Sequence, residues 1–454
     1  MDNLMYEKKN AYEVLASDEL EKAKVFCEGY KQFLDYARTE LYASEYAQKE
    51  AAARGYEPFE FGKKYSAGDK VYFTRGGKAC VFVHVGEEGF EAGFNIAAAH
   101  IDCPRLDIKC NPLYEDGSLA YLDTHYYGGI VKYQWLTIPL MLCGAVYTRD
   151  GSKIDVRIGE DEGDPVFCIT DLLPHLGKDI QSKTVDRAFN GEALNVLIGS
   201  APDGEADKDK TKTAVMKILH TKYGITERDF QTAELSAVPA QKARDLGVDR
   251  SMILAFGQDD RSCAYPAFTA LMDKKKVSKT AVCVLADREE VGSMGITGLR
   301  SSFMYDMLTD MCLSAGCNPR KAFGSSSALS ADVSAAYDPA FAEVYELKNS
   351  AKLNCGPAIC KFTGARGKSG SSEAGAEFMA RLLADFDQNG VMYQLAELGK
   401  VDQGGGGTVA QFLTDRNIET VDIGVPILSM HAPYEAASKT DIYMLRRACD
   451  VFFA

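Results

Sequence analysis

The feature that most constrains the fold is the alternation of predicted helices and strands in the second half of the chain. Helical spacing of apolar residues alternates there with short apolar runs: 261–272 helix, 280–285 strand, 302–313 helix, 372–386 helix, 390–395, 419–423 and 427–430 strands, and a closing helix from Lys439. Alternation of this kind is typical of a mostly parallel sheet covered by helices. We therefore predict an α/β fold.

The amino-terminal part of the chain extends the same pattern. Apolar residues recur at helical spacing over 18–55, and 70–85 reads as a hairpin of two apolar strands around a glycine pair. A third apolar run, 94–99, ends at His100. In α/β folds the ends of strands carry the chemistry, so His100 is a candidate site residue.

Beyond Arg105 the character of the sequence changes, and strand-like runs such as 135–142 become short and irregularly spaced. A chain of 454 residues is also too long for one ordinary hydrophobic core. We therefore predict two domains. The main domain comprises 1–105 and 231–454, and a β-rich domain is inserted at 106–230.

Composition narrows the class of protein. The net charge is −14 and no basic stripe is present, which argues against a nucleic-acid partner. The longest apolar run, 136–147, is too short to span a bilayer, and the amino terminus lacks the apolar core of a signal peptide. The 13 cysteines are never spaced Cys-x-x-Cys. We expect reduced thiols, a cytoplasmic location, no membrane association and no thiolate zinc site.

An acidic pair, Glu289-Glu290, follows the predicted strand 280–285. Paired glutamates are most often a solvated turn. Two carboxylates at the end of a buried strand repel each other and resist desolvation, unless a divalent cation compensates them. In that interpretation Glu290 binds the metal and Glu289 is the general base. The choice between the two depends on whether the chain offers other ligands.

Such ligands are present at other predicted strand or loop ends. His100 is followed by Asp102, whose oxygen can hold the imidazole ring, and His431 follows the apolar run 427–430. Each histidine alone is more often a core or surface residue. Together the candidate ligands are two histidines and three carboxylates: His100, Asp259, Glu290, Asp332 and His431. This set suits two cations such as zinc, manganese or cobalt.

The order of these motifs resembles the M18 family of metalloaminopeptidases, in particular its bacterial aminopeptidase 1 branch. The motifs are His-x-Asp-x-Pro from His100, Asp-Asp-Arg from Asp259, Asp-x-Glu-Glu-Val-Gly-Ser from Asp287, Ser-Ala-Asp ending at Asp332, and Ser-Met-His ending at His431. Further matches are Asn190-Gly191-Glu192, Asp229-Phe230, the glycine loop 404–408 and 421–424. The resemblance covers nearly the whole chain.

The resemblance implies a zinc-peptidase-like catalytic domain that holds two divalent metal ions, zinc first, with manganese or cobalt as alternatives. Asp259 would bridge the two ions. Glu290 and His431 would complete one site, and His100 and Asp332 the other. Glu289 would be the general base, and Asp102 would orient His100.

The resemblance also gives the inserted domain a role in dimerisation. His175, in Ile169-Thr-Asp-Leu-Leu-Pro-His-Leu, matches the histidine that the family supplies to the active site of a neighbouring subunit. The family forms dodecamers built from dimers. This chain departs from the family at Asp260 (usually Asn), at Ala335 (often His) and over 363–368. These differences leave open the preferred N-terminal residue and the roles of Lys368 and the Gly404–Gly407 loop.

The expected function is an aminopeptidase that removes N-terminal residues from peptides. In this mechanism a water activated by two metals attacks the scissile carbonyl while Glu289 accepts its proton. Two alternatives remain: an amidohydrolase of small N-acyl amino acids, and an inactive scaffold shell. Retention of all five ligands and Glu289 argues against the scaffold.

Overall fold

The computed structural model describes residues 4–370 and 372–454. The fold has two compact units. The first contains the chain up to Asp102, Ala243–Met430 and Glu435–Ala454; the second contains Cys103–Lys242 and His431–Tyr434. The predicted insert, 106–230, falls within the long segment of the second unit.

The strands, in chain order, are β1 (Glu57–Pro58), β2 (Lys70–Arg75), β3 (Ala79–His84), β4 (Phe94–His100), β5 (Arg105–Asp116), β6 (Leu119–Tyr127), β7 (Leu140–Tyr147), β8 (Lys153–Ile158), β9 (Val196–Gly199), β10 (Ala233–Pro239), β11 (Arg244–Leu246), β12 (Met252–Ala255), β13 (Thr280–Ala286), β14 (Ser327–Ala331), β15 (Ser334–Ala335), β16 (Ala358–Cys360), β17 (Gln394–Leu395), β18 (Glu419–Gly424), β19 (Pro426–Leu428) and β20 (Glu435–Ser438).

The α-helices are α1 (Ala11–Val14), α2 (Ser17–Tyr36), α3 (Glu40–Ala53), α4 (Lys178–Gln181), α5 (Val185–Ala188), α6 (Lys210–Tyr223), α7 (Gln258–Met272), α8 (Phe303–Ser314), α9 (Pro319–Gly324), α10 (Ala376–Gln388), α11 (Ala410–Thr414) and α12 (Lys439–Phe452). Within the described residues, none of the helices combines the length and the apolar character that crossing a membrane requires.

The main sheet of the first unit has the strand order β1-β2-β3-β13-β4-β14-β18-β16-β17. Strand β4 is parallel to both of its neighbours, β13 and β14, and Ala286 lies opposite His100 in the register. The carboxyl ends of these three strands therefore meet at one edge of the sheet. The prediction of an α/β fold with a mixed, mostly parallel sheet flanked by helices is confirmed.

The central strands are continuous apolar runs because helices and loops cover both faces of the sheet. On β13, Cys283 and Leu285 belong to a core cluster that also contains residues of α2, α7 and α12. The alternate residues Val282 and Val284 belong to a second cluster with residues of α8. The period of two along the strand therefore assigns successive side chains to opposite faces.

A smaller sheet of the first unit has the order β11-β12-β20-β19-β15. The run predicted as a strand over 427–430 is paired only to Leu428, since Ser429 and His431 have φ values of 58° and 65°. Left-handed backbone of this kind cannot continue a strand. In β20, Glu435 lies opposite Ala255 of β12.

The second unit is built on an antiparallel sheet of order β8-β7-β10-β5-β6-β9. The strand predicted at 135–142 is wrong in its boundaries, because Lys132–Trp135 is a short 3-10 helix and β7 begins only at Leu140. Two residues explain why β7 does not begin earlier. Thr137 has a left-handed φ of 62°, and Pro139 has no N–H to donate to a ladder.

Candidate metal centre

His100, at the end of β4, is buried, and a backbone carbonyl oxygen holds one edge of its ring. Its Nδ1 lies 3.0 Å from the backbone carbonyl oxygen of Asp102. A carbonyl only accepts, so Nδ1 carries the proton and Nε2 is left to bind a metal. The oxygen that holds the ring is the backbone one, since the Asp102 carboxylate is farther away, at 3.4 Å.

Carboxylates from three other segments surround the Nε2 atom of His100. It lies 3.2 Å from Asp259 Oδ1, 3.8 Å from Asp332 Oδ1 and 4.0 Å from Glu289 Oε2. Two sets of donor atoms each fall within 4.8 Å of one another: His100, Asp259 and Glu290, and His100, Asp260 and Asp332. Asp260 was not among the ligands predicted from the sequence.

The turn that carries Glu289 and Glu290 is held by Asp102. The two glutamates begin a 3-10 turn, Glu289–Val291, directly beyond β13. The buried Asp102 carboxylate accepts the N–H of Glu289 at 3.1 Å through Oδ1 and that of Glu290 at 3.2 Å through Oδ2. The side chain of Asp102 therefore holds this turn, and its backbone carbonyl holds the His100 ring.

Asp259 lies near the start of α7, where the backbone is not yet helical (φ −79°, ψ 110°). The preceding Gly257 has a left-handed φ of 72°. The Glu435 carboxylate accepts the N–H groups of Gln258 (2.7 Å) and Asp259 (3.0 Å). Sequence reasoning missed Glu435, and its only sequence signal is an acidic residue within the apolar run that precedes α12.

Asp260 is fully buried, whereas the Asp332 side chain is 14% exposed. Asp260 Oδ2 accepts the N–H of His100 at 3.3 Å, and among the described residues its Oδ1 has no hydrogen-bond partner. Asp332 follows β14, and its carbonyl approaches Gly424 so closely that a Cβ there would lie 1.6 Å from the oxygen. The glycine of the 421–424 motif is thus a steric requirement of this approach.

The carboxylates of the cluster carry more negative charge than a buried site can stabilise without water or cations. Burial raises the pKa of Asp260 well above its usual value, and Asp259 adds to this against the opposing effect of His100. Burial and the charge of Asp260 also raise the pKa of Asp332 well above its usual value. Burial alone would lower the pKa of His100, but hydrogen bonds to Asp102 and Asp259 raise it well above its usual value.

Divalent cations would offset this excess of carboxylates, because their charge favours the ionised form of each ligand. One imidazole nitrogen and several carboxylate oxygens also form a donor set that suits zinc, manganese or cobalt. The residues present therefore fit the binding of divalent metal ions.

The two other predicted histidines belong to the second unit. His431 is partly exposed, and its Nδ1 lies 2.8 Å from the carbonyl oxygen of Gly129. His175 is exposed in the 3-10 turn Pro174–Leu176. Its neighbours Leu173 and Leu176 are exposed as well.

The segment 363–368 and the glycine loop, both singled out in the sequence, pack against each other. The N–H of Gly406 donates to the carbonyl oxygen of Thr363 at 3.3 Å. Gly405 has a φ of 114°, and a Cβ there would lie 2.5 Å from Ala365 Cα. Lys368 pairs with Glu373 at 3.1 Å. The glycines allow this close backbone contact.

Comparison with known proteins identifies the family. The family described as Aminopeptidase I zinc metalloprotease (M18) matches residues 33–453. A protein of Clostridium acetobutylicum named probable M18 family aminopeptidase 1 is 45% identical over 461 residues, covering 99% of both chains. The crystal structure of an M18 aminopeptidase from Thermotoga maritima superposes with a TM-score of 0.95 at 39% identity, covering 99% of both chains.

More distant structures share the fold. One is S. cerevisiae mApe1, solved as a dodecamer, with a TM-score of 0.77 at 19% identity, covering 95% of this chain and 97% of that chain. The matches at 39–45% identity extend over nearly the whole sequence and include the segments that form the candidate metal centre. The chain therefore belongs to the M18 family of zinc metalloproteases and is a metalloaminopeptidase, a hydrolase that acts on peptide bonds.

Proposed function

We propose that this enzyme removes N-terminal residues from peptides with two divalent metal ions, zinc first and manganese or cobalt as alternatives. The observation that carries the proposal is the position of His100 Nε2 among carboxylates from three separate segments. Asp259 would bridge the two ions. Glu290 and His431 would complete one site, and His100 and Asp332 the other.

When bound, two such ions supply an acidified water and polarise the carbonyl that it attacks. The general base among the chain's own residues is Glu289. Its side chain is 19% exposed, compared with 4% for Asp259, so it is the more open of these two carboxylates to solvent, which supports its assignment as the base. Glu289 takes the proton of the attacking water and returns it to the leaving amine. Asp102 holds the Glu289 backbone during both transfers.

The role of Asp260 is the main alternative within this site. It forms a donor set with His100 and Asp332, whereas Asp259 forms one with His100 and Glu290. Asp259 is preferred as the bridge because its Oδ1 lies 3.2 Å from His100 Nε2, while Asp260 Oδ2 already accepts the N–H of His100. Asp260 then supports the strand end behind the ligands.

The second unit would serve as the dimerisation domain, with sequence bounds near 106–230. The exposed Leu172, Leu173 and Leu176 around His175 support an interface there, since exposed apolar patches often mark contact surfaces. His175 would then reach the active site of a neighbouring subunit and donate to the oxyanion. S. cerevisiae mApe1 was solved as a dodecamer, which supports the assembly of this chain into a homododecamer built from dimers. We place the enzyme in the cytoplasm.

The test is a panel of aminoacyl-nitroanilides with matched N-acetylated versions, assayed before and after chelation and after each metal is restored. An aminopeptidase cleaves only the substrates with a free amine, loses activity on chelation and regains it with metal. An amidohydrolase would instead release the free amino acid from N-acetyl amino acids, assayed in parallel, and would release no nitroaniline from either nitroanilide series. No cleavage by protein shown to hold metal would favour the scaffold.

A further inference from the structure

We propose that Glu435 is a positioning residue that shapes the metal centre by holding the backbone in front of Asp259. The inference rests on the proposed role of Asp259 as a metal ligand. Glu435 does not enter either donor set of the cluster, and it lies in β20, which belongs to the smaller sheet. Its action on the metal would be exerted through Asp259.

The contacts of Glu435 hold the Gln258–Asp259 backbone from two sides. Its Oε2 atom accepts the N–H groups of Gln258 at 2.7 Å and Asp259 at 3.0 Å. Its carbonyl oxygen accepts the Gln258 Nε2 at 2.6 Å, and the same amide donates to the carbonyl oxygen of Ile253 at 3.1 Å. Side chain and main chain of Glu435 thus fix one dipeptide.

This dipeptide needs an acceptor from elsewhere in the fold. The first N–H groups of a helix have no partner within the helix, and a side chain at the preceding residue usually accepts them. In α7 that residue is Gly257, which has no side chain and a left-handed φ. Glu435 supplies the missing oxygen from a strand 176 residues away from Asp259.

The burial of Glu435 makes the arrangement rigid. Glu435 is 1% exposed, Gln258 is fully buried and Asp259 is 3% exposed. Charge-assisted hydrogen bonds from backbone N–H groups are roughly twice as strong as neutral ones, and water does not compete with them here. The carboxylate of Asp259 leaves its backbone at a fixed angle, so loss of the Glu435 acceptor would misplace a ligand even though no ligand is removed.

The experiment compares Glu435→Ala, Glu435→Gln and Asp441→Ala with the wild-type enzyme. Asp441 is a matched control, because it is also fully buried and its carboxylate accepts two backbone N–H groups, those of Asn354 and Gly356, at 2.8 Å each. Each alanine variant leaves two backbone N–H groups without their buried carboxylate acceptor. Only Glu435, however, holds Gln258, the residue before Asp259. Glutamine keeps an oxygen that can accept both N–H groups.

Zinc affinity is measured by competition with a chromophoric chelator, and the cobalt-substituted proteins are compared by their visible absorption spectra. Metal-affinity losses of about 10–100-fold are typical when an outer partner of a ligand is lost. We expect Glu435→Ala to lose that much affinity and to change the cobalt spectrum. Glu435→Gln should retain most of the wild-type zinc affinity and cobalt spectrum. Asp441→Ala should keep both at the wild-type level despite lower thermal stability.

Wild-type affinity and spectrum in a folded Glu435→Ala protein would overturn the inference. Equal affinity losses in Glu435→Ala and Asp441→Ala would also overturn it, since they would reflect general destabilisation. If Glu435→Ala does not fold, Glu435→Asp provides the same comparison, because the shorter side chain retracts the acceptor while keeping the charge. A wild-type protein that binds no zinc or cobalt would instead refute the proposed function.

Discussion

The Nδ1 atom of His100 lies 3.0 Å from the carbonyl oxygen of Asp102. This contact places a proton on Nδ1, and Nε2 on the other side of the ring faces the Asp259 carboxylate at 3.2 Å. The same Asp102 uses its side chain for another task, as its carboxylate accepts the N–H groups of Glu289 and Glu290. One residue therefore connects a candidate ligand to the candidate base.

Replacing Glu289 by Gln should abolish most turnover and leave metal binding intact. The amide cannot accept the proton of the attacking water, while Glu290 and Asp259 keep their carboxylates. General bases typically contribute about 10²–10⁴-fold. The measurement is kcat on an aminoacyl-nitroanilide, together with metal content by elemental analysis. Near wild-type kcat would show that another group is the base, and loss of metal would show that Glu289 is a ligand.

The pair Asp259→Asn and Asp260→Asn should identify the bridging carboxylate. An amide offers one neutral oxygen and cannot bridge two cations well, so Asp259→Asn should lose both ions. Asp260→Asn should keep them, because its amide oxygen can still accept the N–H of His100. Metal content per chain is the readout. The opposite pattern, with metal lost only from Asp260→Asn, would make Asp260 the bridge.

Asp102→Asn tests whether the Asp102 carboxylate positions the Glu289–Val291 turn. Its two oxygens each accept one N–H, so an amide would turn its NH₂ group towards one of the two donors. A buried donor without an acceptor costs about 1–3 kcal/mol. We expect that loss in the free energy of unfolding, and a fall in kcat of about 10-fold or more.

Asp441→Asn is the control for this prediction, because its two carboxylate oxygens also each accept one backbone N–H. It should lose a similar free energy of unfolding, measured with urea, and keep wild-type kcat. A fall of kcat in both variants alike would assign the effect of Asp102→Asn to stability rather than to the position of the glutamates.

Much of the fold and part of the cluster follow from local sequence patterns. His100 and Glu289 follow apolar runs that predict strands, and the carboxyl ends of neighbouring parallel strands must meet. Their proximity was therefore predictable once parallel pairing was assumed. The boundaries of β7 were not, because the left-handed backbone of Thr137 is a tertiary outcome that residue type does not reveal.

The supporting contacts could not be predicted from the sequence. The Asp102 carboxylate and the Glu289 N–H are 187 residues apart, and Glu435 and Asp259 are 176 residues apart. No periodicity connects such positions. A buried glutamate in a strand has no local signal of its role, since its partners are backbone N–H groups, which every residue except proline carries.

Mixing two inactive variants tests whether His175 serves a neighbouring subunit. His175→Ala would lack the proposed donor to the oxyanion, a loss of about 10²–10³ in kcat, and Glu289→Gln would lack the proposed base. When the two proteins exchange subunits, some interfaces pair an intact Glu289 with an intact His175. We expect activity above that of either parent. Proven exchange without recovery would mean that His175 acts within its own chain or not at all.

The buried His84 lies in β3 opposite Ala281 and Lys70. Among the described residues its Nδ1 has no hydrogen-bond partner. Burial lowers the pKa of His84 to about 4, with a smaller contribution from Lys70. An unfolded histidine has a pKa of about 6.5, so between these values the unfolded chain binds more protons than the folded one.

Because the unfolded chain binds more protons, acidification should destabilise the folded protein. Stability due to His84 is fully present above pH 6.5 and is lost as the pH falls to about 4, by up to about 3 kcal/mol. Urea unfolding of the metal-free wild type and of His84→Gln at several pH values in this range isolates the histidine, because the carboxylates titrate in both proteins. We expect the wild type to lose more stability than the variant on acidification. Parallel curves would show that His84 titrates alike in the folded and unfolded chains.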